Sequence, residues 1–197
     1  MTKLYLVRHG ETVDNKAQIM QGQTPGKLNM KGIEQAEEVA RKMAGTPIDV
    51  FVSSDLYRSI QTCEIIAGSH PVVTTPLLRE RDWGDFTGKF IPDLPKDPKD
   101  WPDNIETLEK MKSRAQNFLT WLKVTYPDQT VLAVGHGIIN KAIQSVYYKR
   151  PMNQIEKMAN AEVRVLILNG IIEKSGRFCS KQTNHKVQSS NIKVQSI

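Results

Sequence analysis

Two short apolar segments of the chain each end on a histidine that lies beside glycine. Residues 3 to 7, Lys-Leu-Tyr-Leu-Val, run into Arg8-His9-Gly10, and residues 130 to 134, Thr-Val-Leu-Ala-Val, run into Gly135-His136-Gly137. Runs of this length and composition predict buried β-strands. In open α/β sheets the functional site lies at the carboxyl ends of the strands. The pattern therefore points to a sheet-based fold and indicates one site that contains two imidazoles.

Strand and helix patterns alternate over most of the chain. The predicted strands are residues 3–7, 48–52, 72–78, 130–135 and 162–168. The predicted helices are 30–44 behind the cap residue Asn29, a helix that follows the cap residues Ser53-Ser54-Asp55 and runs to Ala67, and the segments 105–122 and 138–148. Asn169-Gly170 is a hairpin signal. The alternation favours an α/β fold in a single three-layer domain, with a mostly parallel sheet and helices on both faces.

The segment from about residue 85 to 104 interrupts this alternation. It contains Pro92, Pro95, Pro98 and Pro102 and has no helical or strand period, so we expect an ordered loop or lid. Four aromatic residues flank it: Trp83, Phe86, Phe90 and Trp101. Aromatic residues at the base of a loop are more often packing anchors than platforms that stack on an aromatic leaving group.

The charge of the chain is concentrated at its C-terminal end. The net charge is +6, and residues 174–197 carry five basic residues and no acidic one, which leaves 22 basic against 21 acidic residues in 1–173. A nearly neutral body argues against nucleic acid as a partner. We expect a catalytic domain over 1–173 followed by a basic, polar tail over 174–197 that is frayed rather than a binding arm.

Location and redox state follow from what the sequence lacks. It has no run of about 18 apolar residues that could span a membrane and no signal-peptide pattern, so we expect a cytoplasmic protein without a membrane partner. Cys63 and Cys179 are the two cysteines. With no CxxC and no Cys/His cluster, we expect reduced thiols and neither a disulfide framework nor structural zinc.

Five side chains that could bind a phosphoryl group or react with it lie at strand ends or helix starts. They are Arg8, His9, Arg58, Glu80 and His136. Each of them alone would be a solvated surface residue. Together they suit a phosphoryl group, because guanidinium groups bind phosphate oxygens bidentately and an imidazole can act as a nucleophile. Helix N-termini after Asp55 and at Gly137 would add N–H groups.

Four blocks of sequence resemble the histidine phosphatase superfamily, which has the phosphoglycerate mutase-like fold. They are LVRHGETVDN, SSDLYRSIQT, LLRERDWGDFTG and AVGHG, in the order of that family, and the resemblance covers residues 4 to about 168. The sequence departs from the usual family pattern at Asp14-Asn15, around Pro25–Asn29, and at Trp83-Gly84 and Phe86-Thr87-Gly88. The resemblance therefore supports the reaction class more strongly than any particular metabolite.

The resemblance implies a role for each matching residue. His9 would accept the phosphoryl group, Arg8 and Arg58 would clamp it, His136 would hold its oxygens, and Glu80 would donate a proton. Asn15 matches a phosphate contact, and Gln21-Gly22 match a loop over the substrate. We expect His9 to be neutral and His136 to be cationic. No metal or cofactor is implied.

Several activities fit these residues. Hydrolysis of a phosphorylated small molecule is favoured over a mutase reaction, because mutases of this family usually have a longer chain and a longer insertion after the proton donor. A phosphoprotein phosphatase and a non-catalytic phospho-ligand domain are further alternatives, and the oligomeric state stays open. Among the remaining polar residues, we expect Glu11 and Asp55 to be caps or partners of site residues, and His70 and His185 to face solvent.

Overall fold

The computed structural model describes residues 1–169 as one α/β domain with a five-stranded sheet. The strands are β1 (Thr2–Arg8), β2 (Val50–Ser54), β3 (Val72–Thr75), β4 (Thr130–Gly135) and β5 (Val163–Leu168). Their spatial order is β3-β2-β4-β1-β5. All neighbours are parallel except β5, which is antiparallel to β1. The predicted mostly parallel sheet is confirmed.

Helices cover both faces of this sheet. They are α1 (Val13–Lys16), α2 (Met30–Met43), α3 (Tyr57–Ala67), α4 (Leu108–Thr125) and α5 (Gly137–Tyr148). α2 and α3 pack together on one side, and α4 and α5 pack together on the other. Each side has its own apolar core, around Phe118 and Ile143 on one face and around Phe51 and Cys63 on the other. The three-layer arrangement is therefore confirmed.

Three predicted element ends are wrong. None of Ser53, Ser54 and Asp55 caps α3, because β2 continues through Ser54 and the helix begins after Leu56 without a side-chain cap. β3 stops at Thr75 because Pro76 starts a 3₁₀ turn through Leu78, and Pro has no N–H for the sheet. α4 begins after Thr107, whose side chain accepts from the Lys110 N–H, so Ile105 precedes the helix.

The lid is a chain of turns, as its prolines predict. It contains three short 3₁₀ turns, Gly84–Phe86, Ile91–Asp93 and Pro98–Asp100. Within residues 1–169 no helix combines the length and the apolar character that crossing a membrane requires. The predictions for the tail 174–197, for His185 and Cys179 and for the turn at Gly170 lie outside the described residues.

Candidate active site

The sheet brings the two histidines together. β1 and β4 are parallel neighbours with Arg8 opposite Gly135, so His9 and His136 leave adjacent strands at the same edge. The His9 N–H donates to the Gly135 carbonyl at 3.0 Å, and the imidazole centroids are 5.0 Å apart. The two imidazoles therefore lie side by side at this edge of the sheet, as the sequence predicts.

His9 is oriented by its own loop. Its Nδ1 lies 2.7 Å from the Gly10 carbonyl oxygen, which can only accept, so Nδ1 carries the proton and Nε2 keeps a lone pair. Burial, and after it the Arg58 and Arg8 cations, hold the pKa of His9 well below its usual value. This loop conformation requires glycine at position 10, because a Cβ there would lie 2.4 Å from the Gly32 carbonyl oxygen in α2 and clash with it. His9 is therefore a neutral imidazole, as the sequence predicts.

Arg58 lies in the first turn of α3 and is almost fully buried, with 1% exposure. Its guanidinium donates to the carbonyls of Gly22, Thr24 and Pro25 and, through Nε, to Nδ1 of His136 at 3.2 Å. Burial lowers the pKa of Arg58 to about 10, which still leaves it cationic near neutral pH. Four of its five N–H groups are thus engaged within the protein.

Arg8 has more free donors than Arg58. One Nη1–H donates to the Met158 carbonyl at 2.7 Å, while the buried Nε has no partner among the described residues. Burial lowers the pKa of Arg8, and the Glu80 carboxylate partly offsets this effect. Arg8 is therefore the arginine that is better placed to bind an anion bidentately.

His136 differs from its predicted state. Because Nδ1 accepts a hydrogen bond from Arg58, the ring proton lies on Nε2. Burial, Arg58 and His9 all lower the pKa of His136 well below its usual value. The prediction of a cationic His136 is therefore wrong: the ring is neutral, and its buried Nε2 has no partner in residues 1–169.

Glu80 lies at the N-terminus of α5. Its carboxylate accepts from the N–H groups of Arg81, Ile138 and Ile139 at 2.8 to 3.3 Å. The sequence predicts that the N–H groups in the first turn of α5 face phosphate. In the structure, those of Ile138 and Ile139 donate to the Glu80 carboxylate instead. Gly137 lines the cavity beside it.

These groups surround a cavity of about 320 Å³ at the carboxyl edge of the sheet. Arg8, His9, Arg58 and Glu80 line it, whereas His136 is fully buried next to His9 and does not. Burial raises the pKa of the one described cysteine, Cys63, to about 12, so that thiol is not a nucleophile. Within residues 1–169 no group of three His, Cys, Asp or Glu side chains could hold a metal ion.

Comparison with known proteins identifies the family. The pattern of the histidine phosphatase superfamily, branch 1, matches residues 4–175. The chain belongs to this superfamily. "Uncharacterized phosphatase PhoE" of Bacillus subtilis (strain 168) is 37% identical over 168 residues, which cover 82% of this chain and 86% of that protein. "Probable phosphoglycerate mutase GpmB" of Proteus mirabilis (strain HI4320) is 34% identical over 70% of this chain and 71% of its own length.

Solved structures of this superfamily have the same fold. A mutant phosphoserine phosphatase from Entamoeba histolytica, in complex with phosphoserine, superposes with a TM-score of 0.77 and 26% identity, covering 86% of this chain and 92% of that one. The predicted phosphoglycerate mutase-like fold is confirmed by these structural neighbours. They are phosphatases, which supports a phosphatase activity for this histidine phosphatase.

The loop residues Asn15, Gln21 and Gly22 all line the cavity of this histidine phosphatase. Asn15 closes a capping box with Thr12 at α1, and its Oδ1 also accepts from Asn160. The Gln21 Oε1 is buried without a partner among the described residues. Gly22 has φ +52°, and its carbonyl accepts from Arg58. The loop therefore fixes Arg58 as well as covering the site.

Three residues at the site have no signal in the sequence. Asn160 donates to the His9 carbonyl at 3.0 Å, and Lys157 lines the cavity. Partial desolvation and the neighbouring Arg8 lower the pKa of Lys157. Arg114 in α4 donates to the carbonyls of Leu77, Arg79 and Glu80 and pairs with Glu106 at 2.8 Å.

Glu11 and Asp55, predicted to be caps or partners of site residues, instead accept hydrogen bonds from side chains outside the candidate site. Glu11 accepts from Asn29 and Lys31 at the start of α2, and Asp55 pairs with Arg79 at 2.6 Å. His70 is exposed. Of the lid aromatics, Phe86 is buried, Phe90 is 44% exposed and Trp83 lines the cavity.

Proposed function

We propose that the chain is a metal-independent phosphomonoesterase that hydrolyses a phosphorylated small molecule through a phosphohistidine on His9. One observation carries the proposal: the Nδ1–H bond from His9 to the Gly10 carbonyl leaves Nε2 as the lone-pair nitrogen. That nitrogen belongs to a neutral imidazole beside two arginines, in a cavity with a carboxylate on its wall. Such a group attacks phosphorus without an activating base.

In the first step, the Nε2 lone pair of His9 attacks phosphorus and the bond from phosphorus to the ester oxygen breaks. This step requires a proton on Glu80, which Glu80 transfers to that oxygen, so the alcohol leaves neutral. Arg8 binds two of the phosphoryl oxygens through its free donors. The remaining N–H of Arg58 stabilises the charge on the others, and the buried His136 holds Arg58 in position by accepting from its Nε at 3.2 Å.

In the second step, water attacks the phosphohistidine. Glu80, now a carboxylate, accepts a proton from this water as its oxygen bonds to phosphorus. The N–P bond breaks, the electron pair returns to Nε2 of His9, and inorganic phosphate leaves. Glu80 is then protonated again and His9 is neutral, so the cycle closes.

Phosphoryl transfer of the mutase type is the second candidate, because a protein named as a phosphoglycerate mutase is 34% identical to this chain. A mutase returns the phosphoryl group to a rearranged substrate before water attacks. Phosphoglycerates should therefore be incubated with the enzyme while free phosphate and isomer are both measured. Phosphate release without isomer supports the hydrolase, and isomer formed faster than phosphate supports the mutase.

The intermediate itself is tested by trapping. Wild type and His9→Ala are mixed with ³²P-labelled ester, quenched in alkali and analysed by peptide mass spectrometry. We expect acid-labile label on the peptide that contains His9, and His9→Ala should lose essentially all turnover while keeping a native circular dichroism spectrum. Label on another residue, or an active His9→Ala enzyme, would refute the proposal.

The substrate class is tested with a panel of sugar phosphates, nucleotides, phosphoglycerates and phosphopeptides. Phosphate release from small esters with little release from phosphopeptides is the expected result. A preference for phosphopeptides would favour a phosphoprotein phosphatase. Binding without any release would favour a phospho-ligand domain.

A further inference from the structure

An apolar cavity adjoins the catalytic cavity. This apolar annex has a volume of about 350 Å³, and its walls come from the lid and its base. The side chains that form it include Met20, Trp83, Phe86, Ile91, Leu94 and Trp101. Met20, Trp83 and Ile91 also line the catalytic cavity, so the two spaces share a wall.

The aromatic walls of the annex are held in place. Trp101 meets Trp83 and Phe86 edge to face, with ring centroids 5.7 and 6.1 Å apart. The guanidinium of Arg81 lies 4.6 Å from the Trp83 ring and 5.4 Å from the Trp101 ring. The Trp101 Nε1–H donates to the Pro95 carbonyl at 2.9 Å. The annex is therefore preformed, which reduces the ordering cost of binding.

Backbone hydrogen bonds also connect the lid to the loop that contains Gln21 and lines the catalytic cavity. The Ile91 N–H donates to the Gln18 carbonyl at 2.8 Å, and the Met20 N–H donates to the Lys89 carbonyl at 2.9 Å. Gln21 of the catalytic cavity follows Met20 directly. The annex thus keeps a fixed position relative to the phosphoryl group.

The chemistry of the annex differs from that of the catalytic cavity. Lys96 is the one charged side chain among the described residues that line it, and no carboxylate does. A sugar or glycerate placed there would lose water without gaining partners for its hydroxyl groups, whereas an apolar group would gain from burial. The occupant must also be attached to the phosphoryl group at His9, since the annex opens beside it.

We propose that the annex binds the apolar leaving group of the phosphate ester, and that the substrates are monoesters with an aromatic or branched aliphatic group a few bonds from the ester oxygen. This inference rests on the proposed phosphatase function and specifies its substrate class. Trp83 and Ile91 then determine specificity, because they face both the phosphoryl group and its substituent.

Two matched esters test the inference. Propyl phosphate and 3-phenylpropyl phosphate have alkoxide leaving groups of similar basicity, so their difference reports the binding of the ring rather than the ease of P–O cleavage. We expect kcat/KM for the phenylpropyl ester to be higher by about tenfold or more. In Leu94→Asn, which places an amide in the annex wall, the ratio should fall to roughly two or three.

Matched variants test whether the difference between the two esters arises in the annex. Leu94→Ala, which removes apolar surface without adding a polar group, should also lower the ratio. Val124→Asn changes an apolar side chain that is 62% exposed on α4, far from the lid in sequence, and should keep the wild-type ratio. A ratio near one in the wild type, or a ratio that neither Leu94 variant changes, would overturn the annex as the leaving-group site.

A binding experiment separates this inference from the proposed function. Propylphosphonate and 3-phenylpropylphosphonate have no ester bond to hydrolyse, and their affinities are measured by calorimetry. Tighter binding of the phenylpropyl compound that depends on Leu94 supports the annex even if no ester is hydrolysed, in which case the phosphatase proposal alone fails. Equal affinities together with normal hydrolysis would overturn the annex alone.

Discussion

The two histidines of the site differ in the direction of one hydrogen bond. Nδ1 of His9 donates to a carbonyl, and Nδ1 of His136 accepts from Arg58, so the two neutral rings are opposite tautomers. His9 therefore presents a lone pair at Nε2 and His136 presents a proton there. The sequence shows both histidines but neither tautomer, because each tautomer depends on the partner at Nδ1.

Glu80 is the residue that we expect to distinguish esters by their leaving groups. Glu80→Gln should lower kcat about 10²- to 10⁴-fold for alkyl phosphates, whose leaving oxygen needs a proton. Aryl phosphates, with much better leaving groups, should lose far less. Steady-state kinetics on both ester types gives the comparison.

Asp82→Asn is the matched control for Glu80, since Asp82 is exposed two residues away and its acceptor oxygen is kept. It should retain nearly full activity on both ester types. Equal losses for alkyl and aryl esters in Glu80→Gln would instead make Glu80 a structural partner of the α5 N-terminus.

The buried neutral histidines make stability depend on pH. Because the pKa values of His9 and His136 are lowered by folding, the unfolded chain binds more protons than the folded one once the pH falls below about 6.5, and stability is lost on acidification. Each histidine should contribute a slope of about 1.4 kcal/mol per pH unit in that range. Urea unfolding between pH 5 and 8 measures it.

Single substitutions show which histidine causes this dependence of stability on pH. His136→Gln should reduce the acid loss of stability relative to wild type, whereas His70→Gln should not, because His70 is exposed. The acid limb of kcat/KM should also lie below pH 6.5, because it reports protonation of His9, whose pKa is lowered well below the usual value. An unchanged slope in His136→Gln would show that His136 is protonated in the folded state.

At the level of elements, periodicity located the helices and strands, and tertiary contacts set their ends. The apolar strand β1 and the helix behind Asn29 were predicted because their patterns are local. Ser53 and Ser54 were assigned to a cap, but the sheet takes them into β2, and the Ser53 hydroxyl bonds to Ser59 within α3. The strand prevails over the cap because Ser53 pairs with both β3 and β4 and Ser54 pairs with β3, and both strands come later in the sequence.

Arg114 of α4 connects that helix to the loop that carries Glu80. Its side chain and that of Glu106 are 16% and 13% exposed, and it donates to three loop carbonyls. Arg114→Met should therefore destabilise the protein by about 3 kcal/mol, because it leaves Glu106 and these carbonyls without partners. It should also lower kcat by displacing Glu80.

Urea unfolding measures the loss in Arg114→Met, and Arg41→Met is its control. Arg41 is 69% exposed and pairs with Glu37 on the surface of α2, so its replacement should change stability by less than about 0.5 kcal/mol. Similar losses for the two variants would contradict a special role of Arg114.

At the level of the whole molecule, the site combines residues from both ends of the described chain. The convergence of Arg8, His9, Arg58, Glu80 and His136 was predicted because each follows a strand or starts a helix. Lys157, Asn160 and Arg114 were missed because their contacts depend on how the segment after α5 and the helix α4 fold back over the sheet. No local pattern encodes that path.

Metal independence is a prediction for the whole site, since cationic side chains and neutral donors already surround the phosphoryl position. Dialysis against EDTA should leave the rate of ester hydrolysis unchanged, and added magnesium or zinc should not raise it. An activity that EDTA abolishes and a metal restores would contradict the mechanism. The dialysed enzyme without EDTA serves as the control.

The strand order β3-β2-β4-β1-β5 also bears on how the protein is synthesised. Both neighbours of β1 lie more than a hundred residues further along the chain, so the ribosome has yet to make β4 and β5 when β1 emerges. At elongation rates of about 5–20 residues per second this interval lasts on the order of ten seconds. During that time an apolar strand has both edges unpaired, which makes the nascent chain a candidate client for ribosome-associated chaperones.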